Sequence, residues 1–175
     1  MIDTIVWKEF RVRDILKVEQ TKSVVSKSDL VDGDIPYVTR TVSDNGYTRL
    51  CGNKDKINEG NCITIGAETG VAFYQPNDFV AGNKVYRLSR KGLGEKEYLY
   101  LAGVLNKQTD NYSYSNARIP EKIKAEIMVL PARNIVDWDY VKKLIERFDR
   151  YSQDILKIFS MSIQRLMLLR GGVSL

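Results

Sequence analysis

From residue 141 to residue 169, apolar side chains recur in alternating steps of four and three, at positions 141, 145, 148, 152, 155, 159, 162, 166 and 169. Val141, Ile145, Phe148, Ile155, Phe159, Leu166 and Leu169 fill this series, and Ser152 and Ser162 interrupt it. A repeat of about 3.5 residues keeps a narrow apolar seam turned toward a partner helix over many turns. It predicts one helix over roughly residues 137–170, about 50 Å long at ~1.5 Å per residue. Asp137 or Asn134 can cap its start and Gly171-Gly172 can end it. A chain of 175 residues has little use for a rod longer than its own core. The rod is read as a strut that holds something at a fixed distance.

The residues before it have a different texture. Residues 7–12 read as a short strand, 12–18 as a helical turn or extended segment, and 21–34 as a polar loop. Residues 35–42 alternate β-branched and aromatic side chains and read as a strand that enters a hairpin. Its turn is Asn45-Gly46, a pair suited to positive φ. Strands are expected at 61–65, 71–75 and 81–88, the first two separated by the turn 66–70. Residues 97–105 have helical spacing, 109–116 form a tyrosine-bearing loop, 120–125 start a helix, and 126–130 form a strand closed by Pro131. The sum is a mixed α+β globule over 1–133, then a long coiled-coil-forming helix in the segment 134–175.

Composition removes several chemistries. There is no histidine, so Ser-His-Asp, Cys-His and histidine-based metal sites are unavailable. Cys51 and Cys62 are too few for a disulfide framework and read as buried thiols. Gly-x-Gly-x-x-Gly and Walker-type loops are absent. With scattered carboxylates, no metal site, cofactor or catalytic residue is expected. Glu95-Lys96-Glu97 is the nearest approach to a metal-dependent nuclease motif. No run of ~18 apolar residues suggests a membrane span, the first ten residues lack a secretory plan, and a cytoplasmic setting is expected. The net charge of +5 is distributed as +1 over 1–56, +1 over 57–137 and +3 over 138–175. A basic balance permits nucleic-acid binding without requiring it. On the helix it equally suits a solvated face.

Three polar loops carry the candidate binding residues. The first holds Thr39, Arg40, Thr41, Asn45 and Arg49. Arginine can grip guanine with two hydrogen bonds, asparagine can do so with adenine, and threonine can donate to phosphate or touch a thymine methyl. The second is a strand end bearing Tyr74 and Gln75, with Lys84 beyond it. The third holds Tyr112, Tyr114, Asn116 and Arg118. Hydroxyls and amides of this kind suit phosphate and base contact, and equally suit an ordinary surface loop.

The order of the motifs resembles a known family. It runs through Trp7 and Phe10, Asp14-Ile15, Ile35-Pro36-Tyr37-Val38-Thr39, Asn45-Gly46, Gly70-Val71-Ala72-Phe73-Tyr74-Gln75, the 112–116 loop and Ile127-Met128-Val129-Leu130-Pro131. That order, followed by a long helix, is similar to a target-recognition domain with its spacer helix in the DNA-specificity (S) subunit of type I restriction–modification systems. The resemblance implies a non-catalytic, sequence-specific DNA-binding subunit. Arg40, Thr41, Asn45 and Gln75 would touch bases. Thr39, Arg49, Lys84, Tyr114, Asn116 and Arg118 would touch the backbone. The implied partners are double-stranded DNA, an adenine methyltransferase subunit using S-adenosylmethionine, and an ATP-driven restriction (translocase) subunit. Neither cofactor is expected on this chain itself. Family members usually carry two recognition domains and two spacer helices, and this chain has one of each. It is either a half-length subunit that forms a homodimer or a fragment of a longer one. Self-association would bury the seam. A protein-interaction adaptor that uses only the helix is the alternative from another class, with the metal-dependent nuclease behind it.

Overall fold

The computed structural model describes residues 5–22 and 24–170, except for the side chains of residues 158, 159 and 162–170. The chain divides into two compact units, Met1–Asp137 and Trp138–Leu175.

The first unit is built on two small sheets. Strand β1 (Val6–Arg11) leads into the single-turn helix α1 (Val12–Ile15) and then β2 (Lys17–Gln20). Strands β3 (Ile35–Val38), β4 (Tyr47–Cys51) and β5 (Ile57–Asn58) follow, then β6 (Cys62–Gly66), β7 (Ala72–Gln75), β8 (Phe79–Ala81) and β9 (Val85–Ser89). Helices α2 (Glu95–Asn106) and α3 (Pro120–Ala125) precede β10 (Ile127–Ala132). One sheet runs β2-β9-β6-β7 and is antiparallel throughout; the other runs β4-β3-β8-β5, with β3 and β8 parallel. Strands β1 and β10 form a separate antiparallel ribbon that pairs Trp7 with Pro131 and Phe10 with Met128.

Burial explains the layering. All five residues of β6 are buried, as expected of a central strand covered on both faces. One face meets the second sheet through Val38, Cys62, Phe79, Ala81 and Val85. The other carries Tyr74, stacked on Tyr98 of α2 with ring centroids 5.8 Å apart. Beyond the second sheet, Val25, Tyr37, Cys51 and Val80 form another buried cluster, and the Tyr37 hydroxyl donates to the Val25 carbonyl at 2.6 Å. Both cysteines are buried free thiols, and burial pushes the Cys62 thiol up to about 11.

Local signals set the ends of the helices. Glu97 accepts from the Gly94 N–H at 3.2 Å and closes a capping box at the start of α2. Pro120 opens α3, where its missing N–H costs nothing. The Asn106 side chain, at the end of α2, donates to the Ala72 carbonyl and accepts the Ala72 N–H. An amide thereby occupies hydrogen-bonding positions on β7, an edge strand that would otherwise offer them to another chain.

The structure corrects two sequence expectations. The strand expected over 35–42 stops at Val38, and residues 39–46 form a long loop. Its end does use the left-handed region, at Asn45 (φ 58°) and Gly46 (φ 79°). The strand expected over 81–88 is two strands in different sheets, separated at residues 82–84 by a turn in which Lys84 has φ 54°.

In the second unit, α4 (Trp138–Arg170) is one helix of 33 residues, about 50 Å long at ~1.5 Å per residue. Val141 is buried, Leu144 and Ile145 are half-buried, and Phe148 and Tyr151 are 70% and 66% exposed. Ile155, Leu156 and Met161 are also exposed. Along the seam, Val141 is thus buried, Ile145 half-buried, and Phe148 and Ile155 exposed. The side chains of Phe159, Leu166 and Leu169, and the expected cap Gly171-Gly172, lie outside the described residues.

Candidate nucleic-acid interface

The strand directions gather particular loops at one end of the two-sheet globule. Strand β6 ends at Gly66 and β9 begins at Val85, its paired residue, so the turns at 66–70 and 82–84 lie together. The start of the 39–46 loop joins them. Gly66 makes this possible: a Cβ there would come within 3.0 Å of the Arg40 Cα and 2.9 Å of the Thr69 hydroxyl. The Arg40 guanidinium forms an ion pair with Glu68, and the Lys84 ammonium reaches the same carboxylate oxygen at 3.1 Å. The Lys84 hydrogen bond, with the charge of Arg40, holds the Glu68 carboxyl below its ordinary range. Two cations thus share one anion and retain a net positive charge.

Next to this triad is an open cavity of about 540 Å³ lined by Thr39, Arg40, Thr41, Thr48, Lys27 and Asn83, among others. The Thr39 and Thr48 hydroxyls are 2.8 Å apart, and those of Thr41 and Ser43 are 3.1 Å apart. Each hydroxyl pair keeps an acceptor and a donor for a ligand. Arg49 is exposed on β4 and is tied loosely to Asp32 at 3.3 Å.

Asn45, Tyr74 and Gln75 have other work. Asn45 donates to the Tyr74 carbonyl at 3.0 Å, and Gln75 donates to the Asn45 carbonyl at 2.8 Å and to the Thr64 hydroxyl at 3.0 Å. Tyr74 and Gln75 are 9% and 7% exposed, and their polar groups face the protein. They fasten the 43–46 turn to the edge of β7.

The third loop splits. Tyr114 is 82% exposed on a turn braced by Ser113 and Asn116, whose N–H donates to the Ser113 hydroxyl at 3.2 Å. Asn116 accepts from Lys122 and donates to the Asn111 carbonyl. Arg118, expected to be a backbone contact, is 0% exposed. It donates to both carboxylate oxygens of Glu126, at 2.8 and 2.5 Å, and to the carbonyls of Leu105 and Gly70. Four of its five N–H donors are spent inside the protein, and with no exposed surface it is out of reach of a phosphate. Tyr112 lies under the guanidinium, 5.2 Å from the ring centroid, and donates to Glu126 at 2.8 Å. Burial and that carboxylate push its phenol up to about 12.

Arg118 still matters to the interface. Its N–H donates to the Ala67 carbonyl at 2.7 Å and its side chain holds Gly70, so it anchors the turn that presents Glu68. Glu68 and Glu126 are not among the candidate binding residues of the sequence, where they fall in a turn and at a strand start. Both are single carboxylates whose importance lies in distant partners.

Among the described residues, no three Cys, Asp or Glu side chains gather as they would around a metal ion. Glu97 of the candidate nuclease motif is buried in its capping box. No helix among the described residues is long and apolar enough to cross a membrane.

Residues 5–157 match the family model described as the type I restriction modification DNA specificity domain. The chain belongs to that family. Its members are specificity modules, whose role is recognition rather than catalysis. Over 149 residues the chain is 24% identical to the specificity subunit S.BcgI of a type II restriction enzyme from Heyndrickxia coagulans, covering 82% of this chain and 43% of that one. Solved structures share the fold. The HsdS subunit from Thermoanaerobacter tengcongensis aligns with a TM-score of 0.61 at 15% identity, covering 86% of this chain and 38% of that one. The type I S subunit from M. genitalium aligns at 0.58 and 14%, covering 93% and 44%. A chain from a study of assembly and conformational transition in a type I system gives 0.63 and 14%, covering 94% and 43%. The chain therefore spans less than half the length of these relatives.

Proposed function

We propose that this chain reads DNA sequence for a restriction–modification complex through the cavity at Thr39, Arg40 and Thr41. The Arg40–Glu68–Lys84 triad carries the reading, because it holds a guanidinium half-exposed and oriented without neutralising the pair of cations. Arginine fixed in this way is preorganised for two hydrogen bonds to a guanine edge. Thr39, Arg49, Lys84, Tyr114 and Asn116 are exposed or half-exposed and supply contacts to the sugar-phosphate backbone. Buried Gln75 and exposed Asn45 shape the loop through their hydrogen bonds.

The helix supplies the second element of the proposal. Phe148 and Ile155 belong to the four-and-three series, Tyr151 stands beside it, and all three are exposed, an apolar stripe that a second copy of the helix would cover. Two recognition units at a fixed separation would read an inverted, two-part target, since dimer symmetry imposes the symmetry of the site. The relatives' naming as specificity subunits supports partnership with an adenine methyltransferase subunit and a translocating restriction subunit. S-adenosylmethionine and ATP would belong to those partners.

Selection of bound sequences from a random duplex pool, paired with sedimentation, tests both parts. The wild-type chain is expected to enrich an inverted repeat with a constant gap and to sediment as a dimer. Phe148→Glu with Ile155→Glu is expected to give monomers that enrich a single half-site. No enrichment by either form removes the reading of DNA sequence, and an unchanged sedimentation profile removes the dimer.

A further inference from the structure

The opposite end of the globule carries a second, more strongly charged feature. Where β6 begins and β9 ends, a groove of about 700 Å³ is lined by five basic side chains, Lys17, Lys22, Arg87, Arg90 and Lys91, against two acidic ones, Glu19 and Glu59. Arg87 is neutralised in place, with Glu19 at 3.3 Å and Glu59 at 3.2 Å. Lys17 pairs with Glu19. Lys22, Arg90 and Lys91 are exposed, and among the described residues none of them forms an ion pair. Arg90 spends one donor on the Ile15 carbonyl and keeps its charge uncompensated. Lys91 is followed by Gly92, at φ 87°, with nothing within 4 Å of where a Cβ would stand. The groove therefore has room for a backbone to approach closely.

We propose that this groove holds the phosphate backbone of the same DNA duplex, outside the bases read at Arg40, as a sequence-independent clamp. This rests on the reading of the chain as a DNA-binding protein and adds a site that the reading does not require. Three observations select phosphate. No aliphatic side chain lines the groove, and its one aromatic residue, Tyr98, is buried, so the groove lacks the apolar centre that a protein partner would find. The uncompensated charges are compact ammonium groups and a guanidinium, the groups that displace counterions from a duplex. The groove and the reading cavity are also bordered by neighbouring stretches of chain: Lys17, Glu19 and Lys22 line the groove, and Val24, Val25, Ser26 and Lys27 line the cavity. The ends of β6, Cys62 and Gly66, are four residue steps apart, or about 13 Å at ~3.3 Å per residue. Lys22 of the groove and Lys27 of the cavity are five residues apart in the chain.

The test uses the full chain and measures duplex affinity against salt for wild type, Lys22→Gln with Lys91→Gln, and Arg40→Ala. Both lysines are exposed, so the double variant is expected to keep its fold. Each phosphate contact contributes about 0.9 to the slope of log affinity against log salt. The double variant is expected to lower that slope by about two units and to weaken binding equally on selected and random duplexes. Arg40→Ala is expected to change the preference among sequences instead. An unchanged slope in the double variant overturns the clamp, whatever Arg40→Ala does. A slope that falls while no sequence is preferred leaves the clamp standing and removes the reading at Arg40. If the double variant loses affinity for a polyglutamate peptide and none for DNA, the groove belongs to an acidic protein partner and the proposal fails.

Discussion

Arg40 and Arg118 stand in loops of similar composition, each among hydroxyl- and amide-bearing residues, yet the fold uses them in opposite ways. Arg40 stays at the surface with one third of its side chain exposed, tied to a carboxylate that it shares with Lys84. Arg118 is sealed inside, with both oxygens of Glu126 and two carbonyls taking its donors. One guanidinium is displayed and the other braces the display, because the Arg118 backbone and side chain hold the turn that carries Glu68. One buried ion pair can thus fix the shape of a polar turn on which another charged group is displayed.

The largest expected effect separates the two arginines by stability. Arg118→Ala or Glu126→Ala leaves a charge buried without its partner, a change that costs about 3–5 kcal/mol. Arg40→Ala is expected to cost no more than ~1 kcal/mol, since its pair is partly exposed. Urea denaturation measures both, and equal losses would erase the distinction. Replacing the buried pair together, as Arg118→Met with Glu126→Leu, is expected to recover much of the loss. A double variant as unstable as the single ones would show that the carbonyl contacts to Gly70 and Leu105 matter more than the ion pair.

A smaller effect sharpens the comparison inside the third loop. Tyr112→Phe removes a hydroxyl that donates to the Glu126 carboxylate, at an expected cost of about 1.5–3 kcal/mol for a hydrogen bond to a charged group. Tyr114→Phe, two residues away on the exposed tip, is expected to change stability within ~0.5 kcal/mol. Thermal unfolding of the two variants distinguishes them. Comparable shifts would mean that the tip is braced as firmly as the base.

The contrast between the arginines was invisible in the sequence, and the reason is physical. Residues 61–65, 71–75, 97–105 and 120–125 announce their structure locally, by β-branched runs or by helical spacing with a proline or a cap, and each expectation overlaps an observed strand or helix. The one strand expected at 81–88 differs from the observed β8 and β9 because both are short, mainly apolar runs with no local mark of a change of sheet. Only pairing with β3 on one side and β6 on the other assigns them to separate sheets. Tyr74 and Gln75 stand at a strand end, where side chains can emerge toward a ligand, but their sheet meets the second sheet on one side and α2 on the other, which buries both. Arg118 depends on Glu126, eight residues away across α3, and no local pattern shows that the two meet in the interior. The long helix was legible from its spacing alone, whereas the burial of Val141 was not.

In the proposed function, Arg40 reads a base from a surface that the interior holds still. Affinity of the Arg40→Ala variant for a selected duplex and for a scrambled duplex, at one salt concentration, tests it most directly. Loss of about 1–3 kcal/mol on the selected duplex, with little change on the scrambled one, is the expected result. Equal loss on both would make Arg40 a phosphate contact and contradict the assignment of sequence reading to this cavity.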